Sequence, residues 1–147
     1  MNLNPIFESA REAGRKLNLL SAEKKDAVLR AVADEAEART EELLAANRRD
    51  LERMDPADPM YDRLKLTAAR IAGIAADMRN VASLPSPLGE VLGRTTRPNG
   101  MTIEKVRVPF GVVGVIYEAR PNVSFDVFGL CFKTGNASVL KGGHDAR

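Results

Sequence analysis

Gly111 to Tyr117 is an unbroken apolar run, rich in valine and of strand length. A strand buried on both faces of a parallel sheet reads this way, and it strongly limits what can surround it. After it, Val123, Val127, Leu130 and Cys131 recur at helical spacing, and Thr134-Gly135-Asn136 supplies a helix stop. Ala137 to Lys141 reads as a second buried strand. Strand, helix and strand at this spacing form a βαβ unit, with parallel strands and a right-handed crossover. Ligands of such sheets bind beyond the carboxyl ends of the strands. Two polar loops fall there: Glu118-Ala119-Arg120-Pro121-Asn122, and Lys141-Gly142-Gly143-His144.

The preceding sequence is helical for its first half. Asn4 is placed to cap a helix with Pro5 in its first turn, and Ile6, Ala10, Ala13 and Leu17 share one face. Ser21, followed by Glu23, opens a second helix with the apolar stripe Leu29, Val32, Ala33 and Ala36. Leu43 continues the register after a break near Arg39-Thr40. Two prolines and two aspartates make Met54 to Pro59 a loop. Another helix starts near Thr67 and presents Ile71, Ile74, Ala75 and Met78 to a core, until Leu84-Pro85-Ser86-Pro87 ends it. Two short strands then flank Arg97-Pro98-Asn99-Gly100, a turn sequence with proline at its second position. Neither side of Met101 to Val108 is cleanly apolar, as expected of a ribbon exposed on both faces or packed on another subunit.

These features divide the chain into a helical part over 1–89, a ribbon over 90–108 and an incomplete parallel βαβ sheet over 109–147. A parallel pair buried on both faces needs more sheet and more helices than follow it here, so the expectation is the amino-terminal part of a larger α/β protein. The size suits one globular domain: 147 residues, 44% hydrophobic and 29% charged. A net charge of +2, with two Tyr and five Phe and no basic-aromatic stripe, lacks the footprint of a nucleic-acid binder. The opening residues do not resemble a signal peptide, and no apolar run approaches membrane-spanning length. With a single cysteine and no intrachain disulfide, a soluble cytoplasmic protein is expected.

No G-x-G-x-x-G opens the helix, so a dinucleotide would bind by another route. Lys141 stands at a strand end before Gly142 and Gly143. It is either a solvated terminus or an ammonium reaching a ribose hydroxyl or phosphate, with the glycines letting the ligand approach the backbone. Asn122 is delivered to the start of the helix by the extended Arg120-Pro121 step. Capping is the simpler role for its side chain, and donation to a developing oxyanion is the alternative. Arg120 suits either a phosphate or carboxylate ligand or an ion pair with Glu118 or Asp126. Cys131 lies among Phe128, Leu130 and Phe132, where an inert cysteine would lie, and His144 reads as an exposed loop residue.

The stretches GVVGVIYEARPNV and LCFKTGNASVLKGG resemble the glutamate-5-semialdehyde dehydrogenases, also called gamma-glutamyl phosphate reductases, of the aldehyde dehydrogenase superfamily. LLAANRRDL and YDRLKLTAARIAGIAADMRNV extend the resemblance over essentially the whole chain. Broader aldehyde dehydrogenases share only the first strand, an asparagine in the loop after it and a strand ending in lysine. The resemblance implies an α/β, aldehyde-dehydrogenase-like fold and the NADPH-dependent reduction of L-glutamate 5-phosphate to glutamate 5-semialdehyde and phosphate, in proline biosynthesis. A cysteine thiolate would form a thioester that accepts hydride. Asn122 would then help form the oxyanion hole, Lys141 would meet the adenosine ribose, and the ribbon would belong to an oligomerisation element of a homo-oligomer. Arg120 is placed on the anionic groups of the substrate. The family's nucleophilic cysteine lies further along than this sequence reaches, so the chain alone is expected to be inactive. The competing readings are another aldehyde or acyl-phosphate dehydrogenase of the superfamily and a non-catalytic interaction module.

Overall fold

The structure, a computed structural model, describes residues 2–118 and 120–143. Helix α1 spans Asn4–Leu17. Asn4 is not its cap: Leu3 is, and the side chain of Asn2 accepts the Asn4 N–H at 3.0 Å. An acceptor two residues upstream starts the helix one position earlier than the sequence suggests. The buried residues of α1 are Gly14 and Leu17, whereas Ile6 is 45% exposed. The cause is the angle of approach. A Cβ on Gly14 would stand 3.5 Å from the Ala137 side chain and 3.6 Å from the Gly111 carbonyl, so the second half of the helix is the part that touches the sheet.

Helices α2, Ala22–Ala38, and α5, Ala68–Ser83, form the centre of the molecule. Both are capped by hydroxyls: Ser21 accepts the Lys24 N–H at 3.2 Å and Thr67 accepts the Arg70 N–H at 3.1 Å. Leu29 and Ala33 of α2 pack against Ala75, Met78 and Ala82 of α5, as the periodicity of both segments requires. Helix α3, Thr40–Leu51, follows the break at Arg39, and the single turn α4, Tyr61–Leu64, is too short to show a period. Buried Asn47 ties these together, donating to the Leu64 carbonyl at 2.8 Å and accepting the Leu66 N–H at 2.7 Å.

Helix α6, Pro121–Lys133, closes the core with Phe125, Phe128 and Phe132. Leu130, assigned to the inner stripe by sequence, is 56% exposed. The face that packs instead runs through Phe125, Gly129 and Phe132, one helical step away. Gly129 makes this possible, because a Cβ there would sit 2.9 Å from the sulfur of Met78. At the end of α6, buried Lys133 donates to Asp26 Oδ1 at 2.5 Å and to the Ala82 carbonyl at 3.0 Å, joining α2, α5 and α6.

Strands β1, Val91–Thr96, and β2, Thr102–Val106, pair antiparallel, with Arg94 opposite Glu104 in an ion pair. Their turn is closed by the Gly100 N–H on the Arg97 carbonyl at 2.9 Å, and Gly100 takes the positive φ of 82° that the turn exit needs. Every residue of both strands is exposed. Strands β3, Val112–Ile116, and β4, Ala137–Lys141, pair parallel, Val112 with Ala137 through Ile116 with Lys141. Burial on both faces is not what β3 shows: Val113 and Val115 are half-covered, while Val112, Gly114 and Ile116 are open. Two strands make up this sheet among the described residues, and nothing among them covers the second face of β3. No described helix is long and apolar enough to cross a membrane.

Candidate functional site

The parallel register sets β3 and β4 to end side by side. The pairing continues one step further, with the Tyr117 N–H on the Lys141 carbonyl at 3.1 Å. The loops after both strands therefore leave from one sheet edge. Arg120 is extended, at φ −132° and ψ 104°, as the residue before a proline must be, and it caps α6 through its backbone position alone. The Tyr117 hydroxyl lies 2.5 Å from Ser124 Oγ and fastens the first loop to the first turn of α6.

Asn122 is exposed within that first turn and makes no capping bond. Its amide instead donates to Asp126 Oδ2 at 3.0 Å, one turn along. The capping role read from sequence is thereby replaced, for a simple reason: Arg120 holds the cap position and Pro121 the first helical position, so Asn122 lies two residues past the cap. Only one of its two amide N–H groups is used in this bond, and the other remains available. The sequence offers Asp126 as a partner for Arg120, and its four-residue spacing from Asn122 is the signal for the partner it takes instead. Partial burial pushes the Asp126 carboxyl upward, the Asn122 amide draws it down, and the charge of Asp77 pushes it up again.

Arg120 forms no ion pair with a described residue. Arg120 and Asn122 open together onto a hollow of about 390 Å³, walled on its far side by residues 62–77. Lys141 is exposed at the end of β4, its ammonium donating to the Gly142 carbonyl at 2.7 Å. Gly143 follows it, and His144 lies outside the described residues. Cys131 is partly buried on α6, and burial pushes its thiol up, away from the thiolate a nucleophile needs. No group of three or more metal-ligating side chains occurs among the described residues.

A search of protein-family models finds no match. Curated relatives do match. The chain is 62% identical over 146 residues to the gamma-glutamyl phosphate reductase of Parabacteroides distasonis, which covers 99% of this chain and 35% of that protein. Among solved structures, the gamma-glutamyl phosphate reductase of Saccharomyces cerevisiae superposes with a TM-score of 0.91 at 31% identity, over 99% of this chain and 38% of the other. A NAD-dependent benzaldehyde dehydrogenase from Corynebacterium glutamicum superposes with a TM-score of 0.72 at 22% identity, over 95% of this chain and 29% of the other. The last likeness extends to the fold alone, which is α/β and aldehyde-dehydrogenase-like. The chain spans about a third of the length of the curated relatives it matches.

Proposed function

We propose, for a chain homologous along its length to about a third of the gamma-glutamyl phosphate reductases, that it supplies part of the active site of such a reductase. The reaction is the reduction of L-glutamate 5-phosphate to glutamate 5-semialdehyde and phosphate in proline biosynthesis, in the cytoplasm. The observation that supports it best is the shared sheet edge, where the Arg120–Asn122 loop and Lys141 emerge together.

The chain's residues divide the work. The free N–H of Asn122 donates to the substrate's acyl oxygen as negative charge develops there, and Asp126 holds the amide in place from one turn away. Arg120 takes an anionic group of the substrate. Lys141 fits a nicotinamide dinucleotide at its ribose, because its ammonium is exposed and the glycines beside it leave the backbone open. When bound, NADPH supplies the hydride. Cys131 does not provide the nucleophile, so the thiolate that displaces phosphate comes from the remaining length of the longer polypeptide.

The test uses phosphate-dependent reduction of NADP⁺ by glutamate 5-semialdehyde, the reaction run in reverse. A polypeptide carrying this sequence with the remaining length of its relatives turns over, and this chain alone does not. Asn122→Ala in the longer polypeptide lowers kcat by about 10² to 10³, the cost of one oxyanion donor. An unchanged kcat removes Asn122 from the chemistry. Turnover by the chain alone overturns the assignment of the nucleophile.

A further inference from the structure

The hollow beside Asn122 carries more charge than its own contacts neutralise. It is formed by α4 and the residues just after it, by α5 from Arg70 to Asp77, and by Arg120 with the first two turns of α6, and both signs line it. Arg70 is fully engaged, pairing with Asp62 at 3.0 Å and donating to the Asp62 and Lys65 carbonyls at 2.6 and 2.5 Å. The remaining cations, Arg63, Lys65 and Arg120, have no ion pair with a described residue. Asp77 has none either, and Asp126 holds only the neutral amide of Asn122. The two carboxylates feel each other, since the charge of Asp77 bears on Asp126.

An anion alone would satisfy the cations and repel the acids, and a cation alone would do the reverse. A ligand carrying both charges on two substituents of one carbon satisfies the whole set. The volume, about 390 Å³, is at the lower end of small-molecule sites and suits a single amino acid.

We propose that this hollow binds the zwitterionic head of an α-amino acid, its ammonium between Asp77 and Asp126 and its carboxylate toward Arg63, Lys65 and Arg120. This rests on the reductase reading, in which Asn122 addresses the reacting carbonyl at the other end of the same molecule. Asn122 lines the same hollow, so one extended substrate reaches both. Asp77 is then a specificity residue that selects the amino-acid head group and takes no part in the chemistry.

The experiment compares two aldehydes in the longer polypeptide: glutamate 5-semialdehyde, and the semialdehyde of glutarate, which keeps the carboxylate and lacks the ammonium. Asp77 is exposed, so Asp77→Asn leaves the fold intact. The expected result is a KM for glutamate 5-semialdehyde raised about tenfold or more, as loss of a charged hydrogen-bond partner requires, with kcat within about twofold. The KM for the glutarate semialdehyde stays the same. An equal rise for both aldehydes, or no rise for either, overturns the assignment while leaving the reductase reading in place. Absence of turnover with either aldehyde in the unsubstituted polypeptide overturns the reductase reading, and the head-group site falls with it.

Discussion

Lys133 shows how much a single buried charge can organise. It is 4% exposed, and its ammonium is held by one carboxylate from α2 and one carbonyl from the end of α5. Removing Asp26 leaves that ammonium without its counter-charge, so Asp26→Ala is expected to cost about 3–5 kcal/mol in urea unfolding. The double change Asp26→Leu with Lys133→Met leaves no charge buried and costs much less. If the single substitution costs no more than the double, the pair is not what secures α6. Lys133 was invisible as a core residue in the sequence, where a lysine just before a helix stop reads as a solvated end. Asn122 is legible in the sequence, and its partner Asp126 is legible only through the four-residue spacing between them. Neither a capping nor an oxyanion role requires an amide held by a carboxylate one turn on; that arrangement follows from Pro121, which moves Asn122 past the cap.

At the scale of elements, the helices that carry their own start signals were the easiest to read. Ser21 and Thr67 both cap as their positions suggest, and the stripes of α2 and α5 pack as their spacing demands. Thr67→Ala removes the acceptor for the Arg70 N–H, with an expected loss of about 1 kcal/mol and a fall of a few degrees in Tm. A Tm unchanged by the substitution would mean that tertiary packing alone fixes the start of α5. Helix α6 was harder. It is apolar almost all round, so periodicity alone did not separate Leu130, which is open, from Phe125 and Phe132, which pack. The choice between faces is made by Gly129, whose missing side chain admits Met78, a tertiary contact no local pattern contains. The turn α4 is not legible in the sequence, because four residues hold barely one period.

The whole molecule has a well-filled helical side and an open sheet side. Phe110 is 95% exposed, Ile116 86% and Val108 75%, all close to β3 or within it. The alternation of covered and open residues on β3 is what a doubly buried strand becomes when its second face has no neighbour. Such a surface should bind an apolar fluorescent dye such as anilinonaphthalene sulfonate. If further strands extend this sheet in a polypeptide of the relatives' full length, fluorescence per mole is expected to be higher for this chain than for that polypeptide. Equal fluorescence would show that the open face is not covered by further sheet. The sequence made the parallel pair and the need for more sheet readable, because valine-rich runs demand cover wherever they occur. It did not make the hollow beside Asn122 readable, since its two walls lie some fifty residues apart and meet only through α5 and α6 packing.

The bond between Lys133 and Asp26 joins residues 107 positions apart, which sets a clock on synthesis. At the pace of a ribosome, Asp26 waits about five to twenty seconds before its partner is made. Within that interval α2 and then α5 are completed, while the Phe-bearing face of α6 that covers them is the last to be made. Until α6 is made, the apolar seam between α2 and α5 has no cover from its phenylalanines, and that is the surface a holding chaperone would meet.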